Sequence, residues 1–109
     1  MAMIVEMRTY TLALGATGRY FKLYQEKGLA LQKRILGHLV GYYAVEVGEL
    51  NKVIHLWAYD SLDDRAKRRA ELWSNPEWLA YVAEVGPLVA DQANQILSPA
   101  PFFAIPDPA

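Results

Sequence analysis

The sequence predicts an α+β domain with its elements in the order β-α-β-β-α-β. Three observations carry this. Side chains of strand-forming type alternate with period two over residues 3–12, 39–47 and 52–60. Between the first two of these segments the period changes to that of a helix. Two cap signals, Ser61 and Asn75-Pro76, then open a second helical region.

In the first segment, Val5, Met7 and Thr9 alternate with Ile4, Glu6, Arg8 and Tyr10. Apolar residues on both faces mark a central strand covered on two sides. Residues 15–18 form a turn. From Arg19 onward, Phe21, Tyr24, Gly28, Leu31 and Ile35 are spaced 3, 4, 3 and 4 apart, a helical stripe. Glycine inside a helix costs ~1 kcal/mol against alanine, so Gly28 is expected to admit a close neighbour. Gly37 stops the helix, and His38 beyond it suits the negative end of the helix dipole.

Residues 48–51 connect the second strand to the third as a hairpin. Ser61 is placed as an N-cap with Asp64 at the capping-box position. The helix after it is expected to turn Leu62, Ala66, Arg69 or Ala70, and Trp73 to one side. Asp64 and Arg68 stand at i,i+4 spacing, as a paired and solvated face requires. The helix opened by Pro76 breaks near Gly86-Pro87. A short helical continuation is expected over residues 88–93 and a short fourth strand over 94–98. The domain is thus read as residues 1–98. Residues 99–109 hold four of the six prolines and form an extended tail, lying over a neighbour or loose.

This order is the ferredoxin-like split βαβ pattern. Right-handed crossovers imply a four-stranded, antiparallel-type sheet in the order 4-1-3-2, in which strands one and three are expected to run parallel. Helices cover one face only. Val5, Met7, Ile54 and Leu56 require cover on the other. A second subunit packed sheet against sheet supplies it and yields a homodimeric α+β barrel.

With 109 residues, 53% of them hydrophobic, the chain suits one compact core. Net charge is −1, from 11 basic and 12 acidic residues, which gives no drive toward nucleic acid. No apolar run approaches the ~20 residues of a membrane span. The N-terminus enters a strand pattern without a leader-like segment, and cysteine is absent. A cytoplasmic location is therefore expected. Aromatic residues make up 12%, enough to expect some of them at an interface.

If strands one and three face the same way, Glu6, Arg8 and Tyr10 meet His55, Trp57 and Tyr59. His55 exchanges protons near neutrality at its ordinary pKa of ~6.5. It is either a general base or a core histidine satisfied by its neighbours. Arg8 needs a partner if buried, with Glu6 or Glu46 available. Otherwise it holds a ligand's carboxylate or enolate oxygen. Tyr59 is the alternative proton-handling group. Tyr10 and Trp57 either stack on a flat ligand or fill the core. Arg65 lies where it can reach the end of the sheet, and Trp73 and Trp78 can wall a pocket. A cavity of ~300 Å³ or more bordered by Arg8, His55 and Trp57 would mark a ligand site. Metal binding is not expected, since two histidines without cysteine match no zinc spacing. No cofactor is expected, since neither histidine sits in a heme-ligand motif. Phosphate-loop and nucleophile-elbow motifs are absent.

Four stretches, MRTYTLALG, LVGYYAVEVGELNKVIHLWAYDSLDDRAKRRAEL, NPEW and NQILSPAPF, together resemble the NIPSNAP family. The strongest parts are Arg-x-Tyr at Arg8 and Tyr10, the run G-x-x-N-x-V-x-H-L-W-x-Y from Gly48 to Tyr59, and Arg65. The resemblance implies the dimeric α+β barrel superfamily. That group includes cofactor-free oxygenases of aromatic polyketides, heme-degrading monooxygenases, dye-decolourising relatives and muconolactone isomerases. For activity it implies two options. One is a homodimer binding an apolar or aromatic small molecule between sheet and helices, with oxygenase or proton-transfer chemistry. The other is a non-catalytic interaction module.

Overall fold

The computed structural model describes residues 3–109; the first two residues of the expected domain lie outside it. Four strands, β1 (Ile4–Leu12), β2 (His38–Ala44), β3 (Lys52–Tyr59) and β4 (Val89–Leu97), form one sheet in the order β2-β3-β1-β4. The helices are α1 (Thr17–Lys27), α2 (Leu29–Leu36), α3 (Leu62–Trp73) and α4 (Pro76–Val85). The strand order is the expected one, but β1 and β3 run antiparallel, not parallel. The crossover through α1 and α2 returns β2 parallel to β1 with one slot between them. The hairpin then reverses β3 into that slot, so every neighbouring pair is antiparallel.

The first helical region is two helices that meet at Gly28. A Cβ there would stand 2.8 Å from Tyr24 Cδ1 and 3.0 Å from the Tyr81 ring. Gly28 thus admits α4 against the α1–α2 junction. Gly28→Ala is expected to cost about 1–2 kcal/mol in urea denaturation, because overpacking outweighs the gain in helix propensity. An unchanged midpoint would refute that account of the glycine.

Both predicted caps form. Ser61 Oγ accepts from the Asp64 backbone N–H at 3.0 Å, and Asn75 Oδ1 accepts from Glu77 and Trp78. His38 is not a helix cap. It opens β2, and its Nε2 lies 2.7 Å from the Pro106 carbonyl oxygen. Arg68 instead donates to the Ile35 carbonyl at the end of α2 while pairing with Asp64. The long guanidinium reaches across from α3, which spacing within α2 could not reveal.

The expected helical continuation over residues 88–93 is also corrected. A single 3-10 turn, Gly86–Leu88, leads directly into a nine-residue β4. Pairing with β1 runs from Val5↔Leu97 to Leu12↔Val89. That ladder overrides the weak strand propensity of Ala, Asp, Asn and Gln. The tail does not reach outward. It folds back on its own chain, and the Ala109 N–H donates to the Leu39 carbonyl.

The helices cover one sheet face. Its centre holds Glu6, His55, Trp57 and Tyr59, all essentially sealed from solvent. By alternation, Val5, Met7, Ile54 and Leu56 occupy the opposite face, together with exposed Tyr43. Among the described residues no helix is long and apolar enough to cross a membrane.

Candidate functional site

β1 and β3 pair with Arg8 opposite His55 and Glu6 opposite Trp57. Directly opposed residues share a face, so both strands present their polar side chains to the helix layer. Two arrangements result, side by side.

The first is a charge cluster on Glu6 Oε2; Glu6 Oε1 and Arg65 Nε are buried beside it without partners among the described residues. Glu6 Oε2 accepts from Arg65 at 2.6 Å, Asn94 at 2.8 Å and Arg8 at 3.1 Å. Burial alone would raise the Glu6 pKa. The hydrogen bonds from Arg65 and Asn94 and the charges of Arg8 and Arg65 outweigh it, bringing the pKa from 4.5 down to about 2. Glu6 is therefore the partner of Arg8, while Glu46 is exposed in the β2–β3 loop. Arg8 also donates to Tyr10 at 3.1 Å through Nε.

The second is a cavity of about 120 Å³ between the sheet and α1, α2 and α4. Arg8, Tyr10, His55 and Trp73 border it, as do Trp78 and Gln92. Trp57, Tyr59, Glu6 and Arg65 do not line it, and Tyr59 borders a separate recess with His38 and Arg68. The space is smaller than the ~300 Å³ expected of a ligand site. Tyrosines outside the predicted set of site residues fill much of the volume. Tyr20 and Tyr24 lie one turn apart on α1, Tyr42 lies on β2, and Tyr81 lies on α4. The Tyr20 and Tyr42 hydroxyls are 2.6 Å apart, and the Tyr24 hydroxyl donates to Gln32 Oε1 at 2.6 Å. Burial raises the pKa of all four. Helical spacing marks Tyr20, Tyr24 and Tyr81 as inward-facing, but it cannot distinguish a packed core from a cavity wall.

His55 connects the two arrangements. Tyr42 stacks on its ring at 4.5 Å and Tyr10 meets it edge-on at 4.9 Å. Trp57 Nε1 lies 2.8 Å from His55 Nδ1. An indole N–H can only donate, so Nδ1 accepts. Burial first, then the charge of Arg8, brings the His55 pKa from 6.5 down to about 3. The ring is neutral at pH 7, and its one proton resides on Nε2. That atom is buried and has no partner among the described residues. His55 thus offers a hydrogen-bond donor, not a base. Tyr59 is also buried, its hydroxyl is unpartnered among the described residues, and burial raises its pKa to about 12. No cluster of three or more potential metal ligands occurs among the described residues.

The NIPSNAP family profile matches residues 5–104. A putative NipSnap protein of Caenorhabditis elegans is 30% identical over 99 residues, covering 91% of this chain and 18% of that protein. A NIPSNAP family protein from Agrobacterium tumefaciens superposes with a TM-score of 0.91 at 44% identity, covering 93% of this chain and 89% of that one. An uncharacterised NIPSNAP-like domain protein from Burkholderia xenovorans gives 0.93 at 40% identity, with 98% and 94% covered. A putative antibiotic biosynthesis monooxygenase from Caulobacter crescentus, 18% identical with a TM-score of 0.67 over 91% of each chain, shares the fold. This chain spans about a third or less of the length of the curated animal relatives it matches. A profile match across most of the chain, joined to these structures, shows that the chain belongs to the NIPSNAP family.

Proposed function

We propose that the chain acts as a homodimer binding a small, single-ring molecule with an accepting oxygen in the cavity between sheet and helices. The Nε2–H of His55 carries this reading. It is a buried donor beside Arg8 in the cavity wall, with no partner among the described residues. An unmet buried donor costs about 1–3 kcal/mol, and a ligand oxygen would recover that cost. Size limits the occupant. A cavity of ~150 Å³ holds benzene, so about 120 Å³ sets one small ring as the upper limit and excludes a fused polyketide. Tyr10, Tyr24, Tyr81 and Trp78 supply the stacking and edge contacts.

Binding is favoured over proton abstraction. General acid–base catalysis is most effective with a pKa near the working pH. His55 at about 3, Glu6 at about 2 and Tyr59 at about 12 all lie far from neutrality. Cofactor-free oxygenation stands as a second reading. A phenol acidic enough to ionise against Arg8 and His55 needs no protein base, and those donors would stabilise its oxyanion. The homodimer rests on the apolar sheet face of Val5, Met7, Ile54 and Leu56. That face packs against its copy as two sheets do.

Titration calorimetry with phenol, catechol, benzoquinone and cyclohexanone tests the reading. Saturable binding with a shift of the His55 imidazole ¹⁵N resonances is expected. No binding by any compound, with a monodisperse dimer in sedimentation, would leave the interaction-module reading in its place.

A further inference from the structure

Trp78, Tyr81 and Val85 stand at i, i+3 and i+7 on α4, so they share one helix face. All three are buried and border the cavity. The Asn75 cap fixes the turn that carries Trp78, accepting its backbone N–H at 3.2 Å. The indole has one polar atom, Nε1, and it can only donate. In Trp57 that atom finds His55 Nδ1 at 2.8 Å. In Trp78 it is buried and has no partner among the described residues. His55 Nε2 is in the same condition on the sheet side of the cavity. The wall thus holds two unmet donors, one in each layer.

These donors are not neighbours. Ring contacts lead from His55 to Tyr42 at 4.5 Å, on to Tyr24 at 4.8 Å, to Tyr81 at 6.1 Å and to Trp78 at 5.0 Å. All five side chains border the cavity, so the path follows its wall from sheet to α4. With three rings between the ends, one oxygen cannot serve both. Side-chain acceptors on the wall are already engaged. Gln32 Oε1 accepts from Tyr24, while Gln92 Oε1 and the Tyr10 hydroxyl oxygen accept from Arg8. Among the described residues no carboxylate borders the cavity. What the wall offers a ligand is donation from two opposed sides.

We infer that the cavity's ligand is a small cyclic dicarbonyl. One carbonyl oxygen takes the His55 Nε2–H from the sheet, and the other, across the ring, takes the Trp78 Nε1–H from α4. This rests on the cavity being a ligand site and extends that reading from one acceptor to two. A carboxylate fits less well, because its two oxygens share one carbon and face one way. A ring hydroxyl can accept, but its own proton then needs an acceptor, and those on the wall are taken. The volume of about 120 Å³ holds the ligand to a single ring.

Calorimetry at pH 7.5 with cyclohexane-1,4-dione, cyclohexanone and cyclohexane-1,4-diol on the full chain tests it. The dione is expected to bind about five- to tenfold tighter than cyclohexanone, as one added neutral hydrogen bond allows. In ¹H–¹⁵N spectra the Trp78 Nε1–H resonance should move with the dione and stay in place with cyclohexanone. That readout needs no variant. Trp78→Phe keeps an aromatic ring and removes the donor, so it should abolish the margin between dione and cyclohexanone. Cyclohexanone binding as tightly as the dione would overturn the second acceptor and leave the cavity reading intact. A dione that binds without moving the Trp78 resonance, or a margin that survives Trp78→Phe, would do the same. The diol binding as tightly as the dione would overturn the dicarbonyl assignment. No binding by any compound would remove both readings.

Discussion

Glu6→Gln is expected to lower stability by about 3 kcal/mol, a drop in melting temperature of about 12–20 °C for a domain of this size. Glutamine keeps the shape and an accepting oxygen, so the loss isolates the charge. Without it, Arg8 and Arg65 are left facing each other with no counter-ion, and Arg69 stands close by. Breaking a buried pair from one side is costly because the survivor stays desolvated. Replacing Glu6 and Arg65 together by methionine should recover part of the loss. The acid limb follows from the same group. The Glu6 pKa is 4.5 unfolded and about 2 folded, so its contribution is complete above pH 4.5 and is lost as pH falls toward 2. A Glu6→Gln variant within about 1 kcal/mol of the parent in urea at pH 7 would mean that the cluster is ornamental.

The second large effect belongs to His55. Its pKa falls from 6.5 to about 3 on folding, so below 6.5 the unfolded chain binds the extra proton. Stability should therefore decline as pH falls from 6.5 toward 3, with a slope from this group approaching about 1.4 kcal/mol per pH unit. Between pH 6.5 and about 5.5, Glu6 is ionised in both states and adds almost nothing, so its loss does not account for the decline there. Imidazole ¹⁵N spectra should show His55 as the Nε2–H tautomer, unchanged from pH 8 to pH 4.5. His55→Gln should flatten the stability profile over that window. A His55 resonance titrating near 6.5 would remove the donor assignment, and with it the main support for the ligand site.

Local signals were the legible ones. Ser61 and Asn75-Pro76 named two helix starts, because a cap is an interaction within four residues. Strand alternation brought Glu6, Arg8, Tyr10, His55, Trp57 and Tyr59 to one face, because the pleat has period two. Misreadings arose where a distant partner decided the outcome. Residues 88–93 look helical alone, but from Val89 onward they lie along β1 as strand. On α3, Leu62 was grouped with Ala66 and Trp73 on one side and is mostly exposed, while Arg65 turns in toward Glu6. A carboxylate 59 positions away outweighed an apolar stripe.

By itself the sequence determined the element order, the sheet order and the polar face of β1 and β3, since each depends on short-range periodicity and chain connectivity. Only the tertiary structure decided what those polar groups do. The Trp57 indole makes His55 a donor, and three basic or amide side chains converge on one oxygen of Glu6. Those outcomes depend on which atoms meet across elements and on how little water remains between them, and no spacing along the chain encodes either.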